Sequence, residues 1–170
     1  MMRALFTAIV WLFFAAFVLS QEGANPAIIR IERTRCYGPC PIYSAVIYKD
    51  GKVEYHGVEF VRVKGTCVSH VSTNDLRSIL REVSSEKFLA LRSSYGPAGT
   101  DAPSTSLTVN VSGRTKVVTD YTAEQQVVQR AADVIELNTA IHKWVGSRDR
   151  GQLQANQGSA LTCETAEFGL

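Results

Sequence analysis

Two cysteines separated by three residues form the part of the sequence best suited to chemistry. They lie in the segment 36–43, which reads CYGPCPIY. Nearby cysteines can form a structural disulfide, cycle as a redox dithiol, or supply thiolate ligands to a metal. Gly38 permits unusual backbone angles, whereas Pro39 and Pro41 restrict them and Pro41 blocks helix continuation. The segment therefore predicts a constrained loop whose chemistry depends on the compartment.

The first twenty residues predict export. A short positive start, Met1-Met2-Arg3, precedes an apolar run of 16 residues from Ala4 to Leu19, which is typical of a secretory signal. The run is short against the ~20 residues that a bilayer core requires, so no permanent membrane span is predicted. Cleavage is expected after Ser20, and the absence of a cysteine at position 21 argues against a lipoprotein. The expected location is periplasmic or extracellular.

An exported chain with four cysteines favours disulfides. Cys36 with Cys40 is the first candidate pair, and Cys67 with Cys163 is the second. Closing the small ring is worth about 2 kcal/mol in the chain-entropy model, whereas a ring near 100 residues is worth about 4.7 kcal/mol. The Cys36–Cys40 bridge is therefore expected to shape its loop, which contains Tyr37, Gly38, Pro39 and Pro41 and leads to Tyr43.

Two chemical alternatives remain open at this loop. A thiol–disulfide redox function needs a reactive thiolate, but thioredoxin-type motifs have two residues between their cysteines, and this loop has three. A zinc site needs about four ligands, which Cys36 and Cys40 can complete only with distant residues such as Cys67, His56 or His70. No second paired-ligand motif supports it. The sequence predicts no metal and no cofactor.

The sequence contains neither of the two hydrolase motifs considered. The sequence has neither a Gly-x-Ser-x-Gly elbow nor a His-Glu-x-x-His zinc motif. Asp101 and Asp120 form a conceivable carboxylate pair, but each sits in a sequence context typical of turns and caps. No catalytic residue is therefore predicted, and an enzymatic function is not expected.

Composition gives one domain and excludes one class of partner. The formal charge of +2 falls to +1 when Arg3 leaves with the signal, so there is no electrostatic case for nucleic-acid binding. Residues 27–146 are predicted to fold as one domain, and residues 147–170 are predicted to be a flexible polar tail. An arginine cluster, with Arg30, Arg33 and Arg35 near Arg62 and Lys64, is interrupted by acidic residues and is predicted to lie on a solvated mixed-charge face.

The hydrophobic pattern predicts an α+β fold with an antiparallel sheet of about six to seven strands, two hairpins and two helices. Strands are expected over the segments 27–33, 42–48, 52–56, 58–64, 67–71, 106–111 and 116–119. Asp50-Gly51 and Ser112-Gly113 mark the hairpin turns. A capped helix is expected from Ser72 or Thr73 to Ser84. A second, long helix with a Thr122/Gln125 capping box is expected to carry an apolar stripe from Val127 to Val145.

The order of these features resembles the DUF6438 family of uncharacterised domains. The resemblance rests on Cys36-Tyr37-Gly38-Pro39-Cys40-Pro41 with Tyr43, on Asp50-Gly51, Tyr55 and Gly57, and on Asp101, Thr105 and Asp120-Tyr121. It implies a fold and an exported location for residues 27–146, but no activity and no catalytic residue.

The resulting functional expectation is a noncatalytic binding or envelope-associated module with a disulfide-braced Cys36–Cys40 loop. The alternative is a redox or metal-binding protein that uses the same two cysteines. The sequence does not identify a ligand or partner. Four tyrosines, Tyr37, Tyr43, Tyr48 and Tyr55, are expected either to form an exposed aromatic surface or, more commonly for strand tyrosines, to pack across neighbouring strands.

Overall fold

The computed structural model describes residues 25–99, 101–146 and Cys163 as a twisted sheet with helices packed on one face. The seven strands are β1 (Ala27–Arg33), β2 (Ile42–Tyr48), β3 (Lys52–Glu59), β4 (Gly65–His70), β5 (Ser94–Tyr95), β6 (Thr105–Val111) and β7 (Arg114–Asp120). The helices are α1 (Thr73–Val83), α2 (Glu86–Leu89), α3 (Gln126–Leu137) and α4 (Ile141–Val145). The predicted α+β class is confirmed. The predicted signal peptide and the predicted tail, apart from Cys163, lie outside the described residues.

The strand order across the sheet is β4-β3-β2-β1-β6-β7-β5. All neighbours pair antiparallel except β5, which runs parallel to β7. The central strand β1 alternates as predicted: Ile29 and Ile31 are buried, and they pair with Val109 and Leu107 of β6. Because side chains alternate between the two faces, the third residue on this inner face is Arg33. The sheet therefore directs a cation toward the layer of helices.

The two predicted hairpins are present, and each turns at the expected glycine. Gly51 has φ +90° and Gly113 has φ +74°, conformations that glycine adopts without the penalty paid by other residues. The registers then follow, with Ile47 opposite Val53 in the first hairpin and Val111 opposite Arg114 in the second. Helix α1 also begins as predicted, because the Ser72 hydroxyl accepts a hydrogen bond from the Asp75 amide.

The predicted strand 58–64 is wrong. Strand β3 continues to Glu59, and Phe60 then adopts φ +53°, which turns the chain out of the sheet. The next residues bond to helix α4 instead of a strand: the amide of Arg62 donates to the Val145 carbonyl at 3.1 Å, and that of Val63 donates to the Trp144 carbonyl at 2.9 Å. This segment consequently ties the end of α4 to the sheet.

The single long C-terminal helix is also wrong, because the chain forms α3 and α4 with a break between them. The Asn138 side chain donates to the Val134 carbonyl at 2.8 Å, and the Thr139 hydroxyl donates to the Ile135 carbonyl at 2.9 Å. Such side-chain bonds compete with helix continuation. The start differs too, since the Gln125 side chain accepts from the Val127 amide and Thr122 is not the cap.

The predicted apolar stripe is right for Ala131, Ile141 and Val145, which are buried, but not for Val127 and Val134. The buried residues of α3 are Val128, Ala131, Ala132, Ile135 and Glu136, whereas Val127 and Val134 are only partly buried. Two short elements were not predicted at all. Helix α2 is capped by Ser85 and buries Phe88, and β5 extends the sheet beyond β7. Both are too short to leave a periodic signal.

A disulfide links the edge strand β4 to the C-terminal part of the chain. It joins Cys67 and Cys163 with their Cα atoms 5.6 Å apart. Cys67 is buried on the inner face, and Cys163 packs against the hydrophobic core. The bridge connects residues 96 positions apart in the chain, so it constrains the chain well beyond the last helix. In the ranges that the structure describes, no helix is long and apolar enough to cross a membrane.

Candidate functional site

The Cys36–Cys40 segment forms a tight loop between β1 and β2. A disulfide joins the two cysteines, whose Cα atoms are 5.7 Å apart. The amide of Gly38, a residue with φ +144°, donates to the Cys36 carbonyl at 3.0 Å, and the Cys40 amide donates to the Gly38 carbonyl at 2.9 Å. The Tyr37 amide donates to the Asp101 carbonyl at 2.8 Å. The backbone of the loop is thus held by its own hydrogen bonds and by the segment that precedes β6.

A cavity of about 510 Å³, which we call the loop pocket, lies beside this disulfide. Its lining comes from the loop, from the adjoining ends of β1 and β2, and from the segments around α3 and α4. The lining residues are Arg33, Cys36, Tyr37, Gly38, Pro39, Cys40, Pro41, Tyr43, Pro103, Ala123, Gln129, Glu136 and Val145. This volume falls within the range of small-molecule sites in proteins. All seven loop and motif residues singled out from the sequence therefore meet at one cavity.

A network of hydrogen bonds around Arg33 contributes to the pocket. The Arg33 Nε atom donates to Glu136 Oε1 at 2.8 Å, and the Tyr43 hydroxyl donates to the same oxygen at 2.5 Å. The Nη1 atom of Arg33 donates to the Thr105 hydroxyl at 2.9 Å and to Gln129 Oε1 at 3.2 Å. Strands β1, β2 and β6 and helix α3 each supply one member or more. The network consequently fixes the helix on the sheet at the pocket.

Gln129 links this network to a buried carboxylate. Its side-chain amide donates to Asp120 Oδ2 at 2.9 Å. Asp120 is fully buried and also accepts from the backbone amides of Thr122 at 3.2 Å and Gln125 at 2.9 Å. Asp120 thereby caps the turn that leads into α3. The capping role preferred from the sequence is what the structure shows for Asp120, whereas Asp101 is exposed and uses its carbonyl to hold Tyr37.

Two groups of the network keep their protons at neutral pH. Burial raises the pKa of Tyr43 well above its ordinary value of 10.0, and the charge of Glu136 raises it further. Burial opposes the charged form of Arg33, but the interactions with Glu136 and Tyr43 together outweigh it, so the pKa of Arg33 is raised. A phenol and a guanidinium in these states do not exchange protons near pH 7. They are suited to holding an oriented ligand and not to acid–base chemistry.

Three aromatic side chains, one of which is Tyr43, pack in a row next to this network. The Tyr43 and Tyr55 rings lie 5.6 Å apart, and the Tyr55 and Trp144 rings lie 5.3 Å apart. Tyr43 and Tyr55 are buried and pack across strands β2 and β3, as expected for strand tyrosines. Tyr37 differs, because this lining residue is 89% exposed. Of the two tyrosines that line the pocket among the described residues, Tyr37 is the one with an unburied ring, and Tyr48 lies toward the opposite end of β2.

The predicted solvated arginine face is wrong for Arg33. This side chain is only 11% exposed and lies between the sheet and α3. The prediction treated the cluster as a set of surface residues and overlooked the alternation of Ile29, Ile31 and Arg33, which places all three on the inner face. The neighbours do behave as predicted: Arg30 pairs with Glu32 at 2.7 Å, and Arg35 approaches Glu59 at 3.7 Å on the exposed surface.

The four cysteines and the histidines do not converge. All four cysteines are in disulfides, so their sulfurs are not thiolate ligands in this oxidised form. His56 is exposed and contacts the Thr66 hydroxyl at 3.3 Å, and His70 is exposed at the end of β4. Within residues 25–99, 101–146 and 163, no group of three or more His, Cys, Asp or Glu residues is arranged to hold a metal ion.

Asp120 leads to a prediction on acid stability. Burial by itself raises the pKa of Asp120, but the hydrogen bonds from Gln129, Gln125 and Thr122 together lower it below its ordinary value of 3.8. The carboxylate therefore contributes stability that is fully present above pH ~4 and is lost as the pH falls through the lower, folded pKa. We expect Asp120→Asn to cost about 1 to 3 kcal/mol at pH 7, because a charged acceptor of several hydrogen bonds is replaced.

Urea unfolding of both proteins between pH 2.5 and 7 measures this effect. The difference in unfolding free energy between the two proteins should shrink on acidification below pH ~4, since the lost charge contributes less there. Exposed Asp50 also has a lowered pKa, so Asp50→Asn serves as the control and is expected to give a smaller difference at pH 7. A gap for Asp120→Asn that stays constant down to pH 2.5 contradicts the assignment.

The fold and pocket define a small α+β domain with two disulfides, one of which borders a cavity. The model of the family described as a domain of unknown function, DUF6438, matches residues 27–144, and the chain belongs to this family. A search of curated proteins found no match. The resemblance stated from the cysteine motif is thus confirmed at the level of the family.

Sequence reasoning found the loop but missed the groups behind it. It identified Cys36 to Pro41 and Tyr43, yet it assigned no role to Glu136 or Gln129. Gln129 and Glu136 lie about two helical turns apart on α3, and only the packing of this helix on β1 and β6 brings them to Arg33. Arg33 itself was accessible to the sequence through the alternation of β1. Polar α3 residues carry no comparable signal, because polar positions on a helix are expected to face solvent.

Proposed function

We propose that this protein is an exported, noncatalytic binding module and that the loop pocket is its ligand site. The observation that carries the proposal is the position of the loop pocket, between a disulfide-braced loop and a buried hydrogen-bond network. A concave site that combines apolar walls with a few oriented polar groups is the usual form of a ligand site. The exposed ring of Tyr37, a lining residue, adds a contact surface that folding itself does not use.

Rigid walls favour binding over catalysis in this pocket. The disulfide and the hydrogen bonds of Gly38, Cys40 and Tyr37 restrain one wall, and Arg33 with its partners restrains another. A preformed site loses little conformational entropy when a ligand enters. At the same time, Tyr43 and Arg33 hold their protons firmly, so neither is poised as a general acid or base at neutral pH.

The export part of the proposal rests on the first twenty residues and on the disulfides. An apolar run after a positive start is typical of a signal peptide, and disulfides persist in oxidising compartments. We propose cleavage after Ser20 and a periplasmic or extracellular location. Intact mass and non-reducing peptide mapping of the exported protein test both parts. Retention of residues 1–20, or free thiols at all four cysteines, would contradict them.

The binding proposal is tested by NMR with a fragment library that includes neutral, anionic and cationic compounds. Amide resonances of the ¹⁵N-labelled exported protein are followed during titration. The expected result is a set of ligands whose shifts cluster at Tyr37, Gly38, Cys40 and Gln129. The proposal is overturned if no compound shifts these residues, or if every hit maps to another part of the domain.

The Cys36–Cys40 bridge gives a prediction that separates binding from redox chemistry. We expect Cys36→Ser with Cys40→Ser to cost about 2 kcal/mol of stability, as for a very small ring, and to weaken fragment binding because the wall of the pocket loosens. The bridge should also resist reduction by glutathione at mild potentials. Urea unfolding, NMR titration and thiol trapping provide the three measurements.

The redox alternative predicts the opposite pattern in the same experiments. The double variant would retain the wild-type unfolding midpoint, would retain fragment binding, and would lose a measurable thiol-exchange activity. The matched control is Cys67→Ala with Cys163→Ala, which removes a disulfide away from the pocket. This control should leave fragment binding unchanged under conditions in which the variant is folded.

A further inference from the structure

We infer that the outer edge of β4 is a docking surface and that the segment 165–170 of the same chain occupies it as an added strand, parallel to β4. The sequence of this segment is TAEFGL, and it begins two residues after Cys163. The inference goes beyond the proposed function, because the described residues that line the loop pocket include none from β4. Three observations support it: an unprotected strand edge, the anchor at Cys163, and the alternation of the segment.

Strand β4 lies at one edge of the sheet, with β3 as its neighbour. The Val71 amide donates to the Gly51 carbonyl at 2.9 Å across this pair. Because backbone groups point alternately to the two sides of a strand, the amides and carbonyls of Thr66, Val68 and His70 point away from β3. Within the ranges that the structure describes, no other strand pairs with β4. These groups are therefore positioned to bond to an added strand.

This edge lacks the features that usually prevent strand addition. Exposed edge strands tend to carry charged residues, prolines or bulges that discourage pairing. Strand β4 reads GTCVSH and has no Lys, Arg, Asp, Glu or Pro. The opposite edge differs, because β7 carries Arg114 and Lys116 and β5 covers its end. Val68 is also 51% exposed, on the face opposite the helices. An uncharged edge with an exposed apolar side chain favours coverage by another segment.

The Cys67–Cys163 disulfide holds the start of the segment at this edge. The Cys163 Sγ atom lies 3.4 Å from the Thr66 carbonyl oxygen, which is one of the outward-facing groups. Val68 and His70 follow about 7 and 13 Å further along the strand. Residues 165–170 extend up to about 20 Å, so they reach His70 when they run in the direction of β4. The tether also keeps the segment at a high local concentration, so weak contacts suffice for docking.

The segment has the period of a strand with one apolar face. Its apolar residues occupy every second position: Ala166, Phe168 and Leu170. An extended chain places all three on one side, which suits the exposed Val68. The other side, with Glu167, lies toward a cavity of about 450 Å³ between β4 and the helices, whose lining is mostly polar and includes Ser69. Docking thus buries Phe168 against Val68 and leaves Glu167 over polar groups.

Hydrogen exchange of the exported protein tests the inference, because an added strand protects amides that otherwise face solvent. The exchange rates of the Val68 and His70 amides are measured by NMR in the full chain and in a chain truncated after Glu164, which keeps both disulfides. We expect truncation to speed exchange of these amides about tenfold or more. The Val117 amide of β7 is the control and should exchange at the same rate in both chains. Fast exchange of Val68 and His70 in the full chain, or slow exchange that survives truncation, overturns the inference.

Proline variants test whether backbone pairing causes the protection. An edge strand donates to its neighbour through every second residue, so one of Ala166→Pro and Glu167→Pro removes a donor to β4. We expect at least one of them to speed exchange at Val68, whereas Leu153→Pro, outside the segment, leaves it unchanged. Nuclear Overhauser contacts between the Phe168 ring and the Val68 methyl groups should accompany protection in the wild type. No effect from either proline variant overturns strand addition.

Dilution separates this segment from a second copy of the chain as the occupant. A contact within one molecule does not depend on protein concentration, whereas pairing of β4 with β4 of another molecule weakens on dilution. We expect the protection of Val68 to stay constant over a roughly tenfold dilution, with the protein sedimenting as a monomer throughout. Protection that falls on dilution overturns the assignment of the segment. Fragment binding at the loop pocket is measured independently, so these outcomes leave the proposed function to its own test.

Discussion

Replacing Cys67 and Cys163 together by alanine should lower the free energy of unfolding by about 3 to 5 kcal/mol. The bridge spans 96 residues, and restricting so large a ring in the unfolded chain is worth about 4.7 kcal/mol in the chain-entropy model. Both cysteines are replaced, because substitution of only one would leave the other as a reactive free thiol. Alanine avoids placing a hydroxyl at the buried position of Cys67.

Urea unfolding without reductant measures this effect, and Cys36→Ser with Cys40→Ser is the comparison. Loss of the Cys36–Cys40 bridge is expected to cost only about 2 kcal/mol. The order of the two losses therefore tests whether ring size determines how much each disulfide stabilises the protein. A decrease in melting temperature of about 10 °C should accompany loss of the large ring in a chain of this size. A loss below about 1 kcal/mol for Cys67→Ala with Cys163→Ala would contradict the expectation that ring size sets the stabilisation.

This disulfide also changes how the C-terminal segment is understood. Composition alone predicts that residues 147–170 do not fold, because they carry little apolar surface. Cys163 nevertheless reaches the inner face of β4 and packs against the core. A disulfide requires only that its two cysteines meet, so Cys163 can be held against the core although the sequence around it is polar. The sequence contained this information in the number of cysteines and not in the hydrophobic pattern.

The fold was predictable wherever a local pattern was strong. The hairpin at Asp50-Gly51, the alternation of β1 and the capped start of α1 each depend on residues within a few positions of one another. The errors lie where a distant contact decides the local structure. Phe60 leaves the sheet because the amides of Arg62 and Val63 bond to α4. The sequence of the segment 58–64 gives no indication of this contact with α4.

The pocket was predictable only in part for the same reason. The cysteines and prolines of the loop are adjacent in sequence, so their shared role was visible. Arg33 and Glu136 are 103 residues apart, and nothing local distinguishes Glu136 from a solvent-facing helix residue. A polar residue that follows a buried strand pattern, as Arg33 follows Ile29 and Ile31, is the one signal that sequence reasoning can use to anticipate such a network.

We predict that Arg33 and Glu136 have a larger coupling free energy for unfolding than any other pair of side chains that we propose to test. Glu136→Leu leaves the buried guanidinium without its nearest carboxylate, with Asp133 at 3.9 Å as the remaining one, and it removes the acceptor of the Tyr43 hydroxyl. Breaking one side of a buried ion pair costs about 3 to 5 kcal/mol. Arg33→Met with Glu136→Leu removes both charges together, so the double variant should be more stable than Glu136→Leu alone.

A double-mutant cycle by urea unfolding quantifies the coupling, which we expect to be about 2 kcal/mol or more. The matched control is the pair Arg130 and Glu82, which lie 3.3 Å apart between α3 and α1 and have side chains that are 75% and 22% exposed. The same substitutions there should give a coupling below about 1 kcal/mol, because solvent screens the charges. Similar couplings in the two cycles would mean that burial does not strengthen the inner pair.

Titration of the tyrosines gives an independent measure of the same pair. Burial and the charge of Glu136 hold the pKa of Tyr43 well above 10.0, so the wild-type protein should leave this phenol un-ionised in an absorbance titration at 295 nm until it unfolds. In Glu136→Leu the repelling charge is gone and the cation of Arg33 remains, so the pKa of Tyr43 should fall. An unchanged titration would show that burial alone protects Tyr43, and that the charge of Glu136 is already neutralised by its bond to Arg33.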